Sequence, residues 1–353
     1  MPIAARQFID ALRDGARLSE ADFLRILSEA DSSDWEYARN CANQLRLERF
    51  GNVIYIRGLV EFTNFCRCDC LYCGIRRSNA AARRYRLDEA QILDCLERGY
   101  SAGFRTIVLQ GGEDTYFTDD RMCAIVSAIK TRHPDIAVTL SIGERSRESY
   151  RRLKEAGADR YLLRHETASP AHFAKLHPEG QRLSTRLECL EWLKELGYQV
   201  GCGMMIGSPC QTPECLAADL HFIQEFRPHM VGLGPFIPHH STPFAKMPAG
   251  TVDGTLNMLA LVRVILPDVL LPATTALATL KPEGRLLGIR AGANVVMPNL
   301  SPIGIRDDYS LYDNKANTGL EAAEGLERLS DELSKIGCRI SIDRGDAPEW
   351  RRK

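Results

Sequence analysis

Between residues 53 and 298, eight short runs rich in apolar and β-branched residues recur, most of them separated by segments of helical periodicity. They are VIYIRGLVEF (53–62), RTIVLQ (105–110), AVTLSI (137–142), RYLLRHE (160–166), QVGCGMMI (199–206), MVGLGPF (230–236), VLLPATT (269–275) and NVVMP (294–298). The intervening segments LDEAQILDCLERGYSAG, SRESYRRLKEAG and STRLECLEWLKELG each end in glycine, as helices often do. Such alternation points to a parallel sheet with helical crossovers, and eight units match the (β/α)8 barrel in number and size. An open doubly wound sheet also alternates. It would place a G-x-G-x-x-G loop after its first strand, where this chain has a cysteine-rich loop instead. The expected fold is α/β: a (β/α)8 TIM barrel over residues 51–310. A helical extension (1–50) precedes it, with a Ser19 cap followed by Asp22. A short extension (311–353) follows and closes the barrel.

Composition narrows the partners. With 44% hydrophobic residues the chain fills a large core, and its net charge of −1 comes from interspersed charges. No polybasic run suggests nucleic acid or an anionic membrane, so a small-molecule partner is expected. The first residues lack the apolar core of a signal peptide and no run reaches a membrane-spanning length, so a soluble, cytoplasmic protein is expected. That compartment keeps thiols reduced, which argues against a disulfide framework among the twelve cysteines. Cys41, Cys95, Cys123, Cys189, Cys202, Cys210, Cys215 and Cys338 are scattered singly and read as small buried hydrophobes.

Cys66, Cys68, Cys70 and Cys73 depart from that background. Three of them form C-x3-C-x2-C, and Cys68 interrupts the first spacer. A structural zinc site wants four ligands, usually as two separated pairs, and no second pair exists. A redox C-x-x-C leaves Cys66 unexplained. Three thiolates suit a [4Fe–4S] cluster with one iron left open, a vacancy that implies reactivity rather than plain electron transfer. In a barrel the active site forms at the C-terminal strand ends, where this loop and several polar residues lie.

C-x3-C-x2-C with Tyr72 before its last cysteine, on the loop after the first barrel strand, resembles the radical S-adenosylmethionine (SAM) superfamily. The resemblance implies that Cys66, Cys70 and Cys73 hold one [4Fe–4S] cluster and that SAM chelates its open iron. LQGGED is similar to the family's G-G-E element, matching Gly111, Gly112 and Glu113 to the SAM amino group. It further implies that Glu166 bonds the ribose and that Arg164 and Arg186 lie near the carboxylate; arginine forks suit carboxylates. An ion pair between Arg164 and Glu166 is the plainer alternative. GMMIGSP resembles the G-x-I-x-G element beside adenine, at Gly203, Met205 and Gly207. Tyr72 packs on adenine, and Thr139 with Ser141 are further contacts. Arg57 faces either the cavity or a partner beneath it.

RGLVEFTNFCRCDCLYCGIRRSN, EAGADRYLLRHETASP, MVGLGPFIPHHSTP and GANVVMPNLSP narrow the resemblance, over about 50–315, to the [FeFe]-hydrogenase maturase family HydE. That family implies a 5′-deoxyadenosyl radical acting on a cysteine-bound iron–carbonyl–cyanide precursor of the hydrogenase H-cluster. It also implies reduced ferredoxin or flavodoxin as electron donor and transient contact with other maturases. The substrate-facing groups expected are His239, His240, Thr274, Thr275, Asn299 and Tyr309. Some members carry three further C-terminal cysteines for an accessory cluster; here that segment has only Cys338, so a single cluster is expected. The alternatives are a lysine mutase like methylornithine synthase and, outside the class, a non-enzymatic iron–sulfur scaffold.

Overall fold

The computed structural model describes residues 5–316 and 322–350; parts of the two predicted extensions, residues 1–4, 317–321 and 351–353, lie outside the described residues. Its strands are β1 (Val53–Ile56), β2 (Gly58–Thr63), β3 (Thr106–Gly111), β4 (Ala137–Ser141), β5 (Arg160–Leu162), β6 (Gln199–Cys202), β7 (Met205–Ile206), β8 (Met230–Val231), β9 (Gly234–Pro235), β10 (Val295–Val296) and β11 (Arg339–Ser341). A six-stranded parallel sheet runs β2-β3-β4-β5-β6-β8. Isolated parallel bridges Met230–Leu270, Pro272–Val295 and Leu59–Asn299, with the β1–β10 ladder, carry it round to its start. All eight expected runs thus contribute to the ring. The seventh does so only through bridges, since Pro272 interrupts it and has no amide to donate.

Three runs are split. Arg57 separates β1 from β2, and β1 pairs with β10 and with β11, a strand the periodicity does not announce. The fifth and sixth runs each break at a glycine, and their second halves, β7 and β9, pair beyond the main sheet. Gly203 is one break point. A Cβ there would lie 1.9 Å from the Gly232 carbonyl oxygen, so only glycine lets the two segments approach this closely.

The helices Ala5–Arg13, Glu20–Glu29 and Ser32–Phe50 agree with the helical reading over the described residues 5–50, and Ser19 with Asp22 forms a reciprocal capping box. They pack on the barrel helices Pro213–Phe226 and Val252–Ile265, and Phe8, Ile9, Phe23 and Ile26 join the barrel's own hydrophobic core. At the other end of the chain, residues 339–347 occupy the mouth at the N-terminal strand ends: Asp346 meets Arg160 and Gln199, and the Arg344 carbonyl accepts from Thr106. No described helix is long and apolar enough to cross a membrane.

Candidate active site

The opposite, C-terminal mouth opens onto a cavity of about 320 Å³. Cys66, Cys68, Cys70 and Cys73 face it from the loop after β2, Gln110 to Glu113 from the end of β3, and Ser141 from the end of β4. The cysteine loop is clasped by the G-G-E segment: the Glu113 amide donates to Cys66 Sγ at 3.3 Å, and the Arg67 amide donates to the Glu113 carbonyl at 2.9 Å. A Cβ on Gly112 would lie 2.2 Å from the Phe65 carbonyl oxygen, so this clasp needs glycine.

The four thiols are free and half-buried. Cys66, Cys70 and Cys73, in C-x3-C-x2-C spacing and lining one cavity, are a donor set that fits a multi-iron group with one iron left open. Hydrogen bonds from the Cys68 thiol draw Cys66 down to about 7 against the opposing effect of burial, with the Cys68 and Glu113 amides assisting. Burial pushes Cys70 up to about 12 and Cys73 up as well. Metal ligation needs thiolates, so loading this site releases protons.

Arg164 and Glu166 also reach the cavity, but not by strand alternation. The β5 ladder ends at Leu162, and Glu166 adopts φ 67°. Arg164 Nη2 stands 3.1 Å from Glu166 Oε2, an ion pair not aligned as a hydrogen bond, so Glu166 Oε2 and Arg164 Nε are buried without a hydrogen-bond partner. Native proteins seldom leave such groups unpaired, and here they line an open cavity beside the thiols. A polar ligand in the cavity would find them available. Arg186 is tied to the Glu144 carboxylate and donates to the Arg164 carbonyl at 2.8 Å. Burial, the largest single influence, lowers its pKa, but Glu144, Tyr72 and Glu113 together outweigh it and keep the guanidinium charged.

Tyr72, Gly111, Gly112, Glu113, Ser141, Arg164, Glu166, Arg186 and Met205 all line the cavity, as do Thr274 and Tyr309. Thr274 Oγ1 is buried without a hydrogen-bond partner, and Tyr309 is buried against Gln110. Other expected contacts are not brought there. Thr139 sits two residues deeper on β4 than Ser141. Gly203 is packed on Gly232, and the Gly207 amide is spent on Gln211 at 2.6 Å. Thr275 begins the helix Thr275–Leu280 and its carbonyl accepts from Thr279. Asn299 is consumed by Glu61 at 2.8 Å and the Ser301 amide. His239 and His240 lie outside the cavity: His240 binds Asp313 through both its amide and Nδ1, at 2.8 and 2.7 Å. His239 Nδ1 accepts the Ser241 amide, which leaves its proton on Nε2 and no lone pair there for a metal. Arg57 is buried beneath the cavity, among the charges of Arg160 and Asp346.

Gln110, a polar residue ending an apolar strand and so expected at the strand-end face, also lines the cavity. Cavity residues missed by sequence reasoning include Leu162, Phe236, Ile237 and Tyr312.

Tyr72 is set by a histidine. His177 Nδ1 donates to the Phe173 carbonyl at 3.0 Å, leaving Nε2 to accept from the Tyr72 hydroxyl at 3.3 Å. Burial pushes the His177 pKa down to about 4 from 6.5. The neutral ring is favoured only in the folded state, so its contribution is complete above pH 6.5 and is lost as pH falls toward 4. The loss is roughly 3 kcal/mol. In denaturant titrations at a series of pH values, His177→Phe is expected to flatten stability between pH 6.5 and 4.5. An unchanged slope would show that another group sets it.

Residues 60–223 match the family model described as the radical SAM superfamily. The chain is 46% identical over 304 residues to the [FeFe] hydrogenase maturase subunit HydE of Thermotoga maritima, covering 85% of this chain and 86% of that protein. It is 27% identical to 3-methylornithine synthase of Methanosarcina acetivorans, over 87% of each. The crystal structure of methylornithine synthase (PylB) superposes with a TM-score of 0.82 at 24% identity, covering 94% of this chain and 97% of that one, which shows the shared fold. A radical SAM domain, free thiols lining the cavity and near-full-length identity of this order have one reading: the chain is a radical SAM enzyme and belongs to the HydE family of [FeFe]-hydrogenase maturases.

Proposed function

We propose that this enzyme acts as HydE does, on a cysteine-bound iron–carbonyl–cyanide precursor during assembly of the [FeFe]-hydrogenase H-cluster. One observation carries the reading: the free thiols, the Glu166 and Arg164 atoms that lack a hydrogen-bond partner and the unpartnered Thr274 hydroxyl belong to residues that line one cavity. A [4Fe–4S] cluster and SAM bound there would supply a 5′-deoxyadenosyl radical on reduction by ferredoxin or flavodoxin. Cys66, Cys70 and Cys73 would hold the cluster. The Gly111–Glu113 backbone would receive the SAM amino group, Arg164 its carboxylate and Glu166 its ribose hydroxyls. Tyr72, Met205 and Phe236 form an apolar wall that excludes water from the radical's path. Thr274 and Tyr309 meet the anionic substrate beyond. A single cluster is proposed, because Cys338 is buried alone in the core.

Anaerobic reconstitution with iron and sulfide, followed by dithionite and SAM, is expected to load ~four irons per chain and release methionine and 5′-deoxyadenosine. Protein that loads iron but releases no 5′-deoxyadenosine is a scaffold. Consumption of added lysine would favour the mutase reading instead.

A further inference from the structure

Behind the cavity wall, the segment carrying Arg164 and Glu166 is held by two side chains that never reach the cavity. His165 and Asp219, the latter on helix Pro213–Phe226, both have 0% side-chain exposure. The Gly203 amide donates to His165 Nδ1 at 3.3 Å, so the ring proton sits on Nε2 and is donated to Asp219 Oδ1 at 3.2 Å. That same oxygen also accepts the Ala168 amide. The Phe222 ring lies edge-on to His165 at 4.8 Å and fixes its tilt.

Gly203 closes the loop of bonds. Its carbonyl accepts the Glu166 amide at 2.9 Å, and the Glu166 carbonyl accepts the Met205 amide at 3.3 Å. Arg164 Nη2 donates to the Met204 carbonyl at 2.7 Å. Residues 164–168 and 203–205 are thus one hydrogen-bonded unit, with the His165–Asp219 pair as its anchor to the outer helix. Glu166 at φ 67° is in a left-handed conformation that a side chain keeps only where the surroundings impose it.

We propose that His165 and Asp219 are positioning residues, their buried pair holding Glu166 in its left-handed conformation and so aiming its carboxylate at SAM. This rests on the reading of Glu166 as a SAM contact. Asp219→Ala removes the acceptor for both donors, whereas Asp219→Asn retains Oδ1 for both. In reconstituted protein, Asp219→Ala is expected to raise the Kd and KM for SAM roughly tenfold or more, with kcat and iron per chain unchanged, and Asp219→Asn is expected to bind within about threefold of the parent. An alanine variant that holds its iron and binds SAM as the parent does would overturn the proposal.

A second measurement needs no cofactor. In His165→Asn, amide exchange across 163–168 and 200–206 is expected to quicken about tenfold relative to the rest of the barrel, and unchanged exchange there would also overturn the proposal. If the unsubstituted protein failed to bind SAM, the proposed function would fall, while the exchange result would still decide the anchor.

Discussion

Replacing any one of Cys66, Cys70 or Cys73 by alanine is expected to take the ~four irons of the reconstituted protein toward zero and to abolish 5′-deoxyadenosine release, whereas Cys68→Ala keeps both. All four thiols face the cavity, so position alone does not separate them. Hydrogen bonding does. Cys68 is engaged with Cys66, a contact that pushes the Cys68 thiol up while easing ionisation of Cys66. Cys68 also lines a second pocket with Arg67 and Arg182. We therefore propose that Cys68 donates to a ligand rather than serving as one. Iron and sulfide analysis with the visible spectrum of each variant checks this. Equal loss in Cys68→Ala would refute the ligand set, and retained iron in Cys70→Ala would show that Cys68 replaces it.

Much of the barrel is legible in the chain because parallel strands buried on both faces read as apolar runs, and eight such runs separated by amphipathic segments leave few alternatives. Where those runs stop was not legible. RYLLRHE reads as one strand, yet the ladder ends at Leu162 and Glu166 turns left-handed, because His165 is claimed by Asp219 more than fifty residues away. The same limit governs the site. The cysteines, Gly111 to Glu113, Arg164 and Glu166, all read from local motifs, reached the cavity, whereas of the G-x-I-x-G element only Met205 did. Polar residues chosen for their place at a strand end did so only when no distant partner claimed them: Thr274 is unpartnered, while Asn299 belongs to Glu61 and His240 to Asp313. Tyr312 comes from a segment without periodicity or motif, and only the folded chain brings it over the barrel mouth. Arg57 was read as facing the cavity or a partner beneath it; it lies beneath, with Nε and Nη2 unpartnered.

That floor yields the largest expected loss of stability. Arg57 and Arg160 are both buried inside the barrel, and their like charges oppose each other there. Asp346 faces both. Its Oδ1 lies 2.6 Å from Arg160 Nη2 and accepts Gln199 Nε2 at 2.7 Å, and its Oδ2 accepts Arg344 Nε at 3.0 Å. Burial alone would raise the Asp346 pKa, but Arg160 with these hydrogen bonds holds the carboxyl well below the usual range. Asp346→Ala leaves two buried guanidiniums without their counter-charge and is expected to cost about 3–5 kcal/mol. For a chain of this size that is a fall in Tm of roughly 5 °C. Asp346→Asn keeps the hydrogen-bond acceptor and loses the charge, so its loss should be intermediate. The pH dependence has a definite sign: a depressed folded-state pKa gives stability that is complete above the unfolded carboxyl value near 4 and fades as pH falls below it. The parent should therefore lose stability below pH 4 more steeply than Asp346→Ala. Equal thermal stability of parent and alanine variant at pH 7 would show that residues 339–347 merely cover the barrel floor, with the two arginines neutralised by other groups.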